Sequence, residues 1–216
     1  MSVESGLRED ICRLGRSLFD RGLTCGASGN ISVRLPDGGL LMTPTGSSLG
    51  RLDPARLSRF DAGGRFVDGD PPTKEMALHA AFYETRGAGT GAVVHLHSTH
   101  SVALSMLPET DPENMLPPLT AYGVMRLGKV VVLPYFMPGD AGMADAIRGL
   151  AGRRSAVVLA NHGPVVAGKD LEAAVCAVEE LEEGARLALM TRGLNPIALT
   201  GAQVAALVTK FKPDWD

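Results

Sequence analysis

Cysteine is too sparse and too scattered in this chain to staple it. Cys12, Cys25 and Cys176 are odd in number and lie far apart. That excludes a paired disulfide framework and a CxxC metal site. They read as free thiols of a reducing compartment, so a cytoplasmic protein is expected. No apolar run approaches the roughly 20 residues needed to span a bilayer, and no membrane partner is expected. Met1 to Asp10 carries acidic residues and lacks the apolar stretch of a secretory leader. A basic cluster is also missing, and the formal net charge is −3. A nucleic-acid partner is therefore not expected. Repeats, low-complexity tracts and linkers are absent too.

What is present suits one globular domain over 1–216. The 216 residues are 45% hydrophobic and 21% charged, enough for a substantial core under a soluble surface. Leu7, Ile11, Leu14 and Leu18 recur at helical spacing, which predicts a helix over 5–21 stopped at Gly22. Residues 31–35 alternate apolar and polar. A turn at Pro36-Asp37-Gly38-Gly39 returns the chain through 40–43 as a hairpin. Asp53 heads a short helical turn, 65–67 reads as a strand, and 74–83 as a helix with its N-cap at or near Thr73. Buried strands are expected at 92–97, 130–133, 156–160 and 165–168. Helices are expected at 98–106, 141–150, 170–192 and 201–210. Glu179-Glu180-Leu181-Glu182-Glu183 reads as the solvated face of the long helix. Interleaved strands and helices make the class α/β or α+β, with helices covering a mixed sheet.

The organising stretch is Ala92-Val93-Val94-His95-Leu96-His97-Ser98-Thr99-His100. On a strand, His95 and His97 share a side and can offer two imidazoles to a divalent metal. A pair of hydrogen-bonded, half-buried histidines fits the same residues. His162, in Asn161-His162-Gly163-Pro164, falls at a strand-to-loop edge, where active-site residues project. Glu75 complements a helix N-terminus, and His79 follows on the same helix face; a packed histidine is its ordinary role. Two small-residue loops, 26–30 and 43–48, flank the hairpin. Such loops cradle phosphate, although composition alone favours plain tight turns.

Together, Ser28-Gly29-Asn30, Thr43-Pro44-Thr45-Gly46, Glu75, His95-x-His97 and Asn161-His162-Gly163 resemble the class II aldolase/adducin family over about residues 8 to 192. Tyr122-Gly123-Val124-Met125-Arg126 with Gly128, and Pro134-Tyr135 with Pro138-Gly139-Asp140, narrow the resemblance to a subgroup acting on 3-oxo-tetronate 4-phosphates. The resemblance implies a three-layer α/β/α fold around a mainly antiparallel sheet. It also implies one divalent metal per subunit, usually Zn2+ with Mn2+ or Co2+ as alternatives, and homotetramers with active sites between subunits. His95, His97 and His162 match the family's metal ligands. Glu75 matches the catalytic carboxylate that can also touch the metal. Ser28, Asn30, Thr45, Gly46, Thr73 and Lys74 match the phosphate contacts, and Tyr122 the proton donor lent by a neighbouring subunit.

The implied reaction is decarboxylation of a phosphorylated sugar acid to dihydroxyacetone phosphate and CO2 through a metal-stabilised enediolate. A class II sugar-phosphate aldolase or epimerase would use the same four metal-site residues, and an adducin-like module would not catalyse at all. Lys74 beside the carboxylate suits the substrate's phosphate or its departing carboxylate. His100 has no assigned role.

Overall fold

A computed structural model of the chain describes residues 2–215. The elements run in order as helix α1 (Val3–Asp20), strands β1 (Asn30–Arg34), β2 (Leu40–Met42), β3 (Ser58–Phe60) and β4 (Phe66–Asp68), helix α2 (Met76–Arg86) and strand β5 (Ala92–His95). Helices α3 (Thr99–Ser105) and α4 (Ala121–Leu127), strand β6 (Val131–Leu133) and helix α5 (Gly142–Gly149) follow. Strands β7 (Ala156–Leu159) and β8 (Gly163–Gly168) and helices α6 (Leu171–Thr191) and α7 (Gly201–Phe211) complete the chain.

The strands form one sheet in the order β4-β3-β2-β1-β5-β8-β7-β6. Every neighbouring pair is antiparallel except β6 and β7. Strand alternation sorts the two faces. Val94 and Val158 point into a core shared with α1, α3 and α6, through Ile11, Leu18, Leu104, Val178 and Leu181. Val93, Val157 and Val165 point the other way, against Leu78 and Phe82 of α2 and Met143 and Ile147 of α5. The central strands are therefore largely apolar on both faces because both are covered, with Asn30, Ser32 and His95 as buried polar exceptions. The result is the expected three-layer α/β/α arrangement.

Several boundaries differ from those read in the sequence. Strand β5 ends at His95, so His97 lies just beyond the sheet. Helix α2 begins at Met76, which moves Glu75 from the first turn to the N-cap position, where its side chain makes no capping bond. Its backbone N–H instead donates to Thr73 Oγ1 at 3.2 Å. The short β3 and α4 were not foreseen. Asp53, Asp170 and Thr200 cap their helices as their positions suggest.

Candidate active site

Three separate pieces of chain converge at one end of β5. Asn30 begins β1 and pairs with His95 at the end of β5. The chain turns into Asn30 through Gly29, whose φ of +82° favours glycine. A Cβ there would sit 2.9 Å from the His95 carbonyl oxygen, so glycine permits this close approach. On the other side of β5, β7 returns as β8 through a three-residue turn, with Asn161 at φ +60° and His162 next to it. Gly163 then packs against the Leu96 carbonyl, which a Cβ would meet at 2.0 Å. That contact sets the His162 turn beside the 96–97 segment.

The histidines meet as a tight set. Ring centroids are 5.0 Å apart for His95–His97, 5.0 Å for His95–His162 and 4.7 Å for His97–His162. His95 Nε2 lies 3.2 Å from His97 Nε2. Glu75 closes the group, with Oε2 3.5 Å from His95 Nε2 and Oε1 3.3 Å from His162 Nε2. All four donor atoms fall within 4.8 Å of one another. A tetrahedral ion with ligand bonds of about 2.0–2.1 Å has donor–donor edges of about 3.3–3.4 Å. The three close spacings match that edge, and the donor chemistry of three imidazoles and one carboxylate suits zinc or a neighbouring first-row divalent ion.

Burial suits these side chains to holding a metal ion. His95 is fully buried, and its Nδ1 donates to the Pro164 carbonyl at 2.9 Å, which leaves Nε2 as a bare lone pair facing the group. Burial lowers its pKa from the ordinary 6.5 to about 4, against the raising influence of Glu75. His97 is lowered too, first by burial and then by His162. Both rings are therefore neutral donors at pH 7. Burial alone would raise the Glu75 carboxyl. The His162 hydrogen bond, the charge of His95 and the Asn30 amide outweigh it and hold Glu75 far below the usual carboxylate range. Asn30 Nδ2 donates to Glu75 Oε2 at 2.7 Å.

Next to this group opens a cleft of about 280 Å³. It is lined by Ser28, Asn30, Thr45, Gly46, Thr73 and Lys74, all six expected phosphate contacts, together with Glu75 and His97. Thr45 N–H donates to the Pro71 carbonyl at 2.9 Å, and a bridge joins Pro44 to Pro72, so the 43–48 and 71–75 loops form one wall. Small side chains and hydroxyls leave backbone close to whatever occupies the space. Asn30 departs from a simple phosphate role. Its Oδ1 is engaged by His79 and one amide N–H by Glu75.

Tyr122 is not brought to this cleft within the chain. It is 57% exposed on α4 and lines a separate cavity of about 530 Å³ with His100, Arg126 and Glu182. Glu182 overturns the reading of 179–183 as a solvated face. It accepts from His100 N at 2.8 Å, His100 Nδ1 at 2.7 Å, Ser101 N at 2.9 Å and Ser101 Oγ at 2.6 Å. Because a carboxylate only accepts, His100 carries its proton on Nδ1. His100 thus fastens α3 to α6 rather than reaching the metal group. Nothing in the sequence marks Glu182 among its acidic neighbours, because Ser98 is an ordinary N-cap residue and only the structure shows that its side chain makes no capping bond.

Comparison with known proteins follows the same line. The model of the class II aldolase and adducin N-terminal domain matches residues 9–189. The 3-oxo-tetronate 4-phosphate decarboxylase of Escherichia coli K12 is 48% identical over 206 residues, spanning 95% of this chain and 96% of that protein. The L-fuculose phosphate aldolase of the same strain is 31% identical over 93% of this chain and 94% of its own length. Among solved structures, YgbL from Escherichia coli superposes with a TM-score of 0.92 at 46% identity, covering 95% of this chain and 99% of that one.

Proposed function

Because the chain belongs to the class II aldolase and adducin family, we propose that it is a metal-dependent carbon–carbon lyase that decarboxylates a 3-oxo-tetronate 4-phosphate. The products are dihydroxyacetone phosphate and CO2. The carrying observation is graded similarity over almost the whole chain. Relatives named for this decarboxylation are 43–48% identical, whereas those named L-fuculose phosphate aldolase are 31–35% identical.

The residues account for the steps. Ser28, Thr45, Gly46, Thr73 and Lys74 hold the 4-phosphate in the cleft and so align the carbon chain toward His97 and Glu75. His95, His97 and His162, with Glu75 within reach, would hold a divalent ion such as Zn2+, which would supply positive charge where the C3 ketone oxygen gains electrons. The C1–C2 bond breaks, its electron pair moves into the C3 carbonyl, and C1 leaves as CO2. Glu75 starts ionised, so it accepts the 2-hydroxyl proton and then returns it to C2. One proton from solvent restores the hydroxyl and balances the reaction. Asn30 keeps the Glu75 carboxylate oriented during both transfers. Tyr122, exposed on α4, is assigned to a neighbouring subunit of a cytoplasmic homotetramer, where its hydroxyl passes the one solvent proton to the substrate oxygen.

The test supplies zinc-loaded protein with the 3-oxo acid phosphate and, separately, with a ketose 1-phosphate. CO2 and dihydroxyacetone phosphate in equal amounts from the acid are expected. Dihydroxyacetone phosphate from the ketose alone, without CO2, would replace the decarboxylase with an aldolase.

A further inference from the structure

A chain of buried polar side chains runs away from Glu75 into the core between α2 and the sheet. Asn30 Nδ2 meets Glu75 Oε2 at 2.7 Å, and Asn30 Oδ1 lies 2.5 Å from His79 Nε2. His79 Nδ1 lies 2.7 Å from Ser32 Oγ, which is 2.9 Å from Tyr83 Oη. His79 and Ser32 are fully buried, Asn30 is 5% exposed and Tyr83 7%. None of His79, Ser32 and Tyr83 lines the cleft.

One fact fixes the direction of every bond in this chain. An ionised carboxylate only accepts, so the amide nitrogen of Asn30 must face Glu75 and its oxygen must face His79. His79 Nε2 therefore carries a proton. A neutral imidazole then has a bare Nδ1, which accepts a hydrogen bond from the Ser32 hydroxyl, and the Ser32 oxygen in turn accepts from the Tyr83 hydroxyl. Burial keeps His79 neutral, lowering it from 6.5 to about 3. Rotating the Asn30 amide by half a turn would set oxygen against carboxylate and N–H against N–H. Such clashes are costly in a dry interior.

We propose that His79, fixed in its Nε2–H form by Ser32 and Tyr83, is a positioning residue that locks the Asn30 amide and through it the Glu75 carboxylate. The proposal rests on the reading of Glu75 as the carboxylate of the metal group. The arrangement follows from the sequence pattern. Asn30 and Ser32 share one face of β1, while Glu75 at the N-cap of α2 and His79 and Tyr83 within it recur every four residues. Polar residues on two packed apolar faces persist only if they satisfy one another. The role is transmitted, since the His79 side chain meets neither the donor atoms nor the cleft and its only bond to Glu75 is backbone to backbone at 3.5 Å; partners of this kind typically alter metal affinity or activity 10–100-fold.

Two measurements test it. In the native protein labelled with 15N-histidine, long-range 1H–15N spectra at pH 7 are expected to show His79 protonated on Nε2 only. An Nδ1–H tautomer overturns the proposal and needs no variant. Second, Co2+ is titrated by its visible absorption. His79→Leu is expected to weaken Co2+ binding about tenfold or more, while His79→Gln, whose amide N–H can replace Nε2–H, stays near the parent. In an Asn30→Ala background, His79→Leu is expected to add nothing further. A folded His79→Leu protein with parental affinity overturns the proposal, as does an undiminished loss in the Asn30→Ala background, which would mark a merely structural role. A parent that binds Co2+ but releases no CO2 sinks the decarboxylase reading and leaves the affinities to decide this one. A parent that binds no Co2+ overturns both.

Discussion

Lowering the pH of the metal-free protein from 8 to 5 should cost it several kcal/mol of stability. His79 and His95 are fully buried, and burial lowers their pKa values from 6.5 to about 3 and about 4. In the unfolded chain both titrate near 6.5. Between the folded and unfolded values the unfolded state binds more protons, so stability rises with pH in that window and falls on acidification. The loss begins as pH drops through 6.5. At pH 5 each unfolded imidazole is almost fully protonated and each folded one is not, a difference of about 2 kcal/mol per group. The pair therefore removes about 4 kcal/mol, a large share of the stability of an ordinary domain. Glu75 does not offset this. Its folded pKa is depressed, so its contribution is complete above the ordinary 4.5 and is lost only below it. Urea unfolding at pH 8 and pH 5 in chelator, followed by circular dichroism, measures the effect. His79→Leu should retain about half of the pH dependence. Equal stability at the two pH values would refute the argument, since it would require both imidazoles to protonate inside the folded protein.

Other consequences can be checked singly. Glu182→Ala removes the acceptor of four hydrogen bonds at the start of α3 and should cost about 2–4 kcal/mol in urea unfolding, with Glu182→Gln intermediate. Stability unchanged by Glu182→Ala would show that water replaces the carboxylate. Lys74→Ala should raise KM for the phosphorylated substrate about tenfold or more, with a smaller effect on kcat, and weaken inhibition by inorganic phosphate in parallel. An unchanged KM removes Lys74 from the cleft's function. Tyr122→Phe should lower kcat without changing bound metal. Mixing Tyr122→Phe and Glu75→Gln subunits should raise activity above that of either variant alone if Tyr122 acts on a neighbour, and not if it acts within its own chain.

The grouping of Glu75, His95, His97 and His162 was expected from the family resemblance rather than from any one residue, and the structure brings the four side chains together. His95 ends β5, His162 sits in the β7–β8 turn, and Glu75 precedes α2. The apolar runs of β5, β7 and β8 made a sheet covered by helices legible, while the three-layer order itself was implied by the family resemblance. Less legible were features decided by contacts between distant segments. Alternation placed His97 on the strand, but pairing stops at His95, and the segment is held instead by Gly163 packing on Leu96. The acidic run 179–183 has the composition of a solvated face, and only the docking of α3 turns Glu182 inward. Strand β3 and helix α4, at three and seven residues, are too short for periodicity to register.

The Glu182 clamp also bears on the order in which the chain assembles. Helix α3 has seven residues, and the Ser98 side chain at its N-cap makes no capping bond. A helix that short does not persist alone in water. Its first amides are held by a carboxylate 82 residues later in the chain. Helix α3 therefore cannot mature until α6 has been made and has docked. His97, immediately ahead of it, then takes its final place only as the C-terminal third folds, so competence to bind metal arrives late in folding rather than with the strand that carries His95.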